Sequence, residues 1–323
     1  MTSGGDARES ALLLRVLSTL LREDVRGLRT RTTAEDHRDG RWLRLAGDPG
    51  LGQDDLLLPV AEDGFQCEYA ARRPLVRCEP VAGPARELTG GDEILAALAR
   101  FAEPEDAAGF TAFAAEYRDA LASLRLQDAT RERTMTRLAA RHGPDPASWR
   151  GLTGSLAFDT LAARRGHPLY PTSAARPGLT ADQLLAHAPE FAPSFRLRWL
   201  AVPRSALTTS GVPAGEPLTA FWPAPSDLGL TGLDSSHMAL PVHPLTAAGP
   251  LAEALRESGQ AGRARLAETP YLTVRPTLST RTVALSAHPD VHLKLPLPTA
   301  TLGLLNRRTI KPGTLVDGAA AQR

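Results

Sequence analysis

Near Gly166 the hydrophobic pattern of this chain changes period, and that change limits the fold more than any other feature of the sequence. Before it, apolar residues recur at helical spacing. Leu13, Val16, Leu17, Leu20 and Leu21 mark a helix over 11–22. Phe110, Phe113, Ala114, Tyr117, Leu121 and Leu124, then Met135 and Leu138, predict one long helix over 110–142. Its polar middle, QDATRERT, is expected to project into solvent, and Gly143-Pro144 ends it. Another helix is expected over 148–165. Between the helices, RWLRLAG and LLLPV predict a small sheet, which the neighbourhood of Cys67 and Cys78 extends. After Gly166 prolines become frequent and short strand patterns take over, at 197–202, 238–242 and 271–274, followed by a hairpin. A helical part followed by antiparallel strands is an α+β architecture. Two domains are expected, 1–150 mainly helical and 151–323 β-rich.

The chain has 323 residues, enough for two domains, and a net charge of only +1. With no global field, nucleic acid and anionic membranes are not expected partners, and any anion site must be local. Two cysteines without a C-x-x-C spacing read as free thiols of a reducing compartment. MTSGGDARES lacks the basic and apolar regions of a signal peptide, and no apolar run approaches the roughly 20 residues of a membrane span. A cytoplasmic location is therefore expected. At the other end, Asp317 is an N-cap candidate and 318–323 resembles the first turn of a helix, too short to stand alone. That pattern predicts a truncated product or half of a larger protein.

The chemistry concentrates in PTLSTRTVALSAHPDVHLKLPLPTATLGLLNRR, residues 276–308. Ser279, Thr280 and Arg281 precede a predicted hairpin, Lys294 lies on its return strand, and Arg307 and Arg308 follow. Hydroxyls, an ammonium and guanidinium forks are the groups that hold a polyphosphate or polycarboxylate without a glycine-rich loop. The plainer alternative is a solvated lysine, because Lys294 faces away from Leu293, Leu295 and Leu297. A second cluster, GHPLYPTSAARPG at 166–178, presents His167 and Arg176 on a proline-stiffened loop, or is simply a helix stop and connector. A third, LPVHP at 240–244, ends a strand on His243, a position more often structural than catalytic. No metal motif is present: Pro289 and Asp290 place a turn between His288 and His292. Walker A, H-E-x-x-H and G-x-S-x-G patterns are absent from the sequence.

In order and spacing, GHPLYPTSAARPG, the APEF at 188–191, the VHPLT from Val242, the STRT from Ser279 and HLKLPL followed by NRR resemble the NRPS-independent siderophore synthetases, the family of aerobactin synthetase. The resemblance covers roughly residues 150–320. It implies a cupped hand: a helical thumb, β-rich fingers that bind ATP, and a palm that would follow and is missing here. It further implies ATP with Mg2+, adenylation of a carboxylate of citrate or a similar polycarboxylic acid, and attack by an amine or hydroxylamine. By position, His167, Arg176, Ser279, Thr280, Arg281 and Lys294 would contact ATP, and Arg307 or Arg308 would bridge the α-phosphate and the substrate carboxylate. Three positions depart from the family pattern: Tyr170 stands for a His, Ala174 for a Lys, and His243-Pro-Leu-Thr246 for H-P-W-Q. Arg164, Arg165 and Arg176 are candidates to replace the lost cations. The chain is then expected to be an acid–amine ligase that needs a palm domain or a downstream polypeptide, with self-association as a homodimer through the bare docking face. The alternative is a degenerate nucleotide- or carboxylate-binding module, or a partner subunit without catalysis.

Overall fold

The computed structural model describes residues 6–64, 67–208 and 221–297. Two compact units divide the chain: Met1–Asp128 with Arg165–Pro177, and Ala129–Arg164 with Gly178–Arg323.

The first unit opens with helix α1 (Ala7–Arg22), whose N-cap Asp6 accepts the Arg8 N–H at 2.9 Å. Six antiparallel strands follow: β1 (Thr32–His37), β2 (Gly40–Leu45), β3 (Asp55–Glu62), β4 (Tyr69–Ala71), β5 (Val76–Glu79) and β6 (Arg86–Leu88). Their order is β1-β2-β3-β5-β6, with β4 also paired to β3. Helices α2 (Gly91–Ala99) and α3 (Ala107–Ala129) complete the unit. Leu13, Leu17 and Leu21 of α1 pack with Leu43, Leu45, Leu56 and Leu58 of the sheet in one core. Each leucine so buried contributes about 1.5–3 kcal/mol.

This sheet is larger than the sequence implies. Strand β1, TTAEDH, carries no apolar alternation and is mostly exposed or half-buried. Ion pairing across strands supports it instead: Arg44 donates to Glu35 at 2.5 Å, to Asp55 at 2.7 Å and to Glu79 at 2.8 Å. The bond from Arg44 holds the Glu35 carboxyl below its usual range. A carboxyl shifted down adds stability above its unfolded pKa of about 4.3 and loses it as pH falls. Arg44→Met is therefore expected to cost about 1–2 kcal/mol in urea unfolding at pH 7, a value discounted for partial exposure, and little at pH 3. An equal loss at both pH values would remove the ion pairs from the explanation.

The second unit begins with α4 (Arg131–His142), α5 (Gly151–Arg165) and α6 (Ala181–His187). The predicted 110–142 helix is thus two helices, broken at Thr130 (φ −110°, ψ 9°). Its polar middle is not wholly solvated either, because Gln127 and Thr134 are buried. Thr134 Oγ1 bonds back to the Thr130 carbonyl at 3.0 Å, a local bond that competes with regular helix. After α6 come β7 (Phe195–Pro203), β8 (His237–Val242), α7 (Pro244–Ala247), α8 (Pro250–Glu257), β9 (Arg265–Leu266), β10 (Tyr271–Pro276), β11 (Thr282–Leu285) and β12 (His292–Lys294). The antiparallel order is β12-β11-β10-β7-β8, with β9 on β7. Leu197, Trp199, Val274, Val283, Leu285 and Leu293 form the core beneath one face. The strands expected at 197–202, 238–242 and 271–274 are all present. Arg307, Arg308 and the helix start at Asp317 lie outside the described residues.

Candidate functional site

The S-T-R-T turn and Lys294 are brought together by strand register. Thr282 pairs with Lys294, Val283 with Leu293 and Ala284 with His292. Val283 and Leu293 point into the core, so Thr282 and Lys294 share the opposite face. The turn before them is tied internally. Thr277 Oγ1 accepts the Ser279 N–H at 3.3 Å and donates to the Thr282 carbonyl at 3.1 Å, and the Thr282 N–H returns to the Ser279 carbonyl at 3.2 Å. The Arg281 carbonyl accepts the Leu295 N–H at 2.8 Å, extending the β11–β12 ladder by one rung. Thr280 is buried, Ser279 and Lys294 are exposed, and Arg281 is half-buried. Neither the Arg281 guanidinium nor the Lys294 ammonium has an ion-pair or hydrogen-bond partner among the described residues. Arg281, opposite Leu295 at the hairpin's end, lies one residue off the face of Thr282 and Lys294, so two unpaired cations flank a hydroxyl-bearing turn, an arrangement suited to an oxyanion.

His167 and Arg176 belong to the first unit. Gly166, at φ 74°, turns the chain out of α5 in a conformation that costs glycine nothing. His167 Nδ1 then accepts the N–H groups of Leu169 at 3.1 Å and Tyr170 at 3.0 Å. With Nδ1 an acceptor, the ring proton sits on Nε2 of an exposed imidazole and is available to a ligand. Arg176 instead binds its own loop, donating to the Ser173 carbonyl at 2.6 Å and the Ala175 carbonyl at 2.9 Å.

The family departures have structural roles. The Tyr170 hydroxyl donates to Glu116, a carboxyl 4% exposed that also accepts from Thr172 Oγ1 at 2.6 Å. Ala174 is buried. Tyr170→Phe removes one donor from that buried carboxyl and is expected to cost about 1–3 kcal/mol in urea unfolding. A loss of only a few tenths would show the bond to be dispensable. Of the candidate replacement cations, Arg164 donates to the Glu190 carbonyl at 3.0 Å, and Arg165 is exposed.

The APEF segment forms a buried single turn, Pro189–Phe191, followed by Ala192 in the left-handed region at φ 48°. Arg137 and Arg141 hold this turn through the Phe191 carbonyl at 3.2 Å and the Ala192 carbonyl at 2.9 Å. His243 is fully buried, and its Nδ1 accepts the Leu245 N–H at 3.1 Å as the N-cap of α7. Burial, helped by neighbouring His187, pushes its pKa down to about 3. Burial thus favours the neutral ring, whose Nε2 has no hydrogen-bond partner among the described residues. Sequence reading passed over Arg275, which the period-2 pattern of TVRP places on the face opposite Val274.

The second unit therefore presents an antiparallel sheet with a cationic, hydroxyl-bearing hairpin at one edge. The chain belongs to the IucA / IucC family, the NRPS-independent siderophore synthetases, whose model matches residues 155–323. It is similar in fold to aerobactin synthetase IucC from a hypervirulent pathotype of Klebsiella pneumoniae, at 22% identity and a TM-score of 0.59, over 90% of this chain and 50% of that one. It is also similar to the petrobactin biosynthesis protein AsbB from Bacillus anthracis str. Sterne, at 16% identity and a TM-score of 0.59, over 96% of this chain and 50% of that one. The chain thus spans about half the length of these structures. No curated protein sequence matches it. Among the described residues, no helix is long and apolar enough to cross a membrane, and Cys67 and Cys78 are free.

Proposed function

We propose that this chain supplies the ATP-binding part of a siderophore synthetase that adenylates a carboxylate of citrate or a similar polycarboxylic acid for condensation with an amine or hydroxylamine. The observation that carries the reading is the register of Thr282 with Lys294, which sets the S-T-R-T turn and an unpaired lysine on one hairpin. In this reaction a carboxylate oxygen attacks the α-phosphorus and the bond to pyrophosphate breaks. The amine nitrogen then attacks the acyl carbon, expels AMP and loses its proton, leaving an amide. Negative charge gathers on the pyrophosphate oxygens in the first step, where fixed cations and N–H or O–H donors lower the barrier. Arg281 and Lys294 are the side chains assigned to those oxygens, with the Ser279 hydroxyl and the Thr280 segment orienting them. His167 and Arg176 keep the nucleotide contacts that the family implies as separate proposals, as do Arg307 and Arg308 the α-phosphate and carboxylate.

Among the described residues no cluster of three or more His, Cys, Asp or Glu side chains is placed to hold a metal ion. In this reading Mg2+ arrives bound to the nucleotide. The remaining half of a synthetase is the partner that the reading requires. The test is exchange of labelled pyrophosphate into ATP with citrate present, with and without a second polypeptide that supplies the half of a synthetase this chain does not cover. Exchange that the second polypeptide stimulates is expected; no exchange under either condition opposes the proposal. The inward packing of Tyr170 and Ala174 favours one second reading, a binding module without catalysis, which would bind ATP and never exchange pyrophosphate.

A further inference from the structure

Two guanidinium groups and one imidazole of the second unit line one small pocket that holds no negative charge. Arg141 and His142 come from the last turn of α4, and Arg275 comes from β10; Thr160, Ala192 and Pro276 complete the wall. No carboxylate lines it among the described residues. Arg275 Nε is buried without a hydrogen-bond partner, and its guanidinium makes no ion pair among the described residues. Arg141 spends one N–H on the Ala192 carbonyl. Burial pushes all three groups toward their neutral forms, and repulsion from Arg275 adds to the shift at Arg141 and His142. The carbonyl end of α4 offsets part of this charge through its dipole, but it supplies no full negative charge. Arg141 is exposed and Arg275 and His142 are half-buried, but a buried guanidinium nitrogen left unbonded, as Arg275 Nε is, is costly without an anionic partner.

The register says where that partner would come from. Arg275 pairs with Ala284, and Ala284 lies two residues from Thr282, the partner of Lys294. Arg275, Thr282 and Lys294 therefore share one face, with the Cα atoms of Arg275 and Lys294 roughly 12 Å apart by ordinary strand spacing. Two long side chains can bracket a polyanion across that gap. The pocket itself has a volume of about 10 Å3, room for a single oxygen-sized atom.

We propose that Arg141, His142 and Arg275 form a second oxyanion site that receives one terminal oxygen of a phosphate, either free inorganic phosphate or pyrophosphate leaving the nucleotide. The choice of phosphate over carboxylate rests on the reading of the Lys294 hairpin; the need for an anion does not. The full chain is titrated calorimetrically with phosphate, pyrophosphate, citrate and chloride at fixed ionic strength. Its melting temperature is followed in parallel. Arg275→Gln is expected to weaken phosphate or pyrophosphate binding about tenfold or more. Without added anion it should melt no lower than the parent chain, because it removes an uncompensated charge. Arg275→Lys keeps the charge without the fork and should fall between, and Arg256→Gln on the exposed face of α8 should change neither reading. Tighter pyrophosphate than phosphate binding identifies the leaving group as the source, and the reverse identifies free phosphate.

Phosphate binding that survives Arg275→Gln, a variant that melts lower without anion, or an equal response to chloride or citrate would each overturn the site. Arg281→Ala with Lys294→Ala is the separating control. If that pair leaves ATP binding intact while Arg275→Gln still lowers phosphate binding, the hairpin reading fails and the second site stands.

Discussion

Arg281→Ala combined with Lys294→Ala is expected to weaken ATP binding by about a hundredfold or more in a calorimetric titration with ATP and Mg2+. Each side chain would contribute a charge-assisted bond to phosphate, worth about 1.5–3 kcal/mol, and 1.4 kcal/mol is a factor of ten. The fold should tolerate the change, because Lys294 is exposed and neither charged group has a partner to lose among the described residues. Thr277 and the Arg281 carbonyl hold the turn, and both remain in the variant. An unchanged melting temperature with lost affinity is therefore the expected pair of results. A drop in affinity of less than about threefold would return Lys294 to the solvated surface residue that its outward direction also permits.

The second large effect is a loss of stability in acid that traces to His243. Its folded pKa of about 3 lies below an unfolded value near 6.5. As pH falls between those values the unfolded chain takes up a proton that the folded chain refuses. The stability contributed by the neutral ring is thus present above pH 6.5 and is lost as pH falls toward 3. The slope is about 1.4 kcal/mol per pH unit, so about 3 kcal/mol is lost between pH 6.5 and 4. His187, 5.4 Å away between ring centroids and also pushed down by burial, adds in the same direction. His243→Asn keeps an acceptor for the Leu245 N–H while removing the proton site. Urea unfolding across this range should show a shallower pH slope for the variant than for the parent, whatever the absolute loss from the smaller side chain. Equal slopes would mean that His243 is not the buried neutral group described.

The core strands of the second unit were legible because their side chains alternate: Leu197, Trp199 and Ala201 face one way, and Val274 and Val283 do the same farther along. Strand β1 was not legible, because Arg44 and carboxylates on three strands hold it where apolar alternation usually would. Nor was the break at Thr130, since the helical period continues through it. At the site, residue types pointed to Ser279, Arg281 and Lys294, but only register places them on one hairpin. The role of Tyr170 was hidden for a different reason. Its partner Glu116 lies 54 residues away, and a contact between distant segments leaves no periodic trace. Arg275 was visible in the alternation of TVRP, yet its importance comes from Arg141 and His142, which α4 alone brings near.

A crystal of the chain grown with magnesium and a non-hydrolysable ATP analogue tests most directly whether the hairpin holds the nucleotide. The expected result is phosphate oxygens within hydrogen-bonding distance of the Ser279 hydroxyl, the Arg281 guanidinium and the Lys294 ammonium. A nucleotide seated away from β11 and β12, or a hairpin left empty at millimolar analogue, would contradict it.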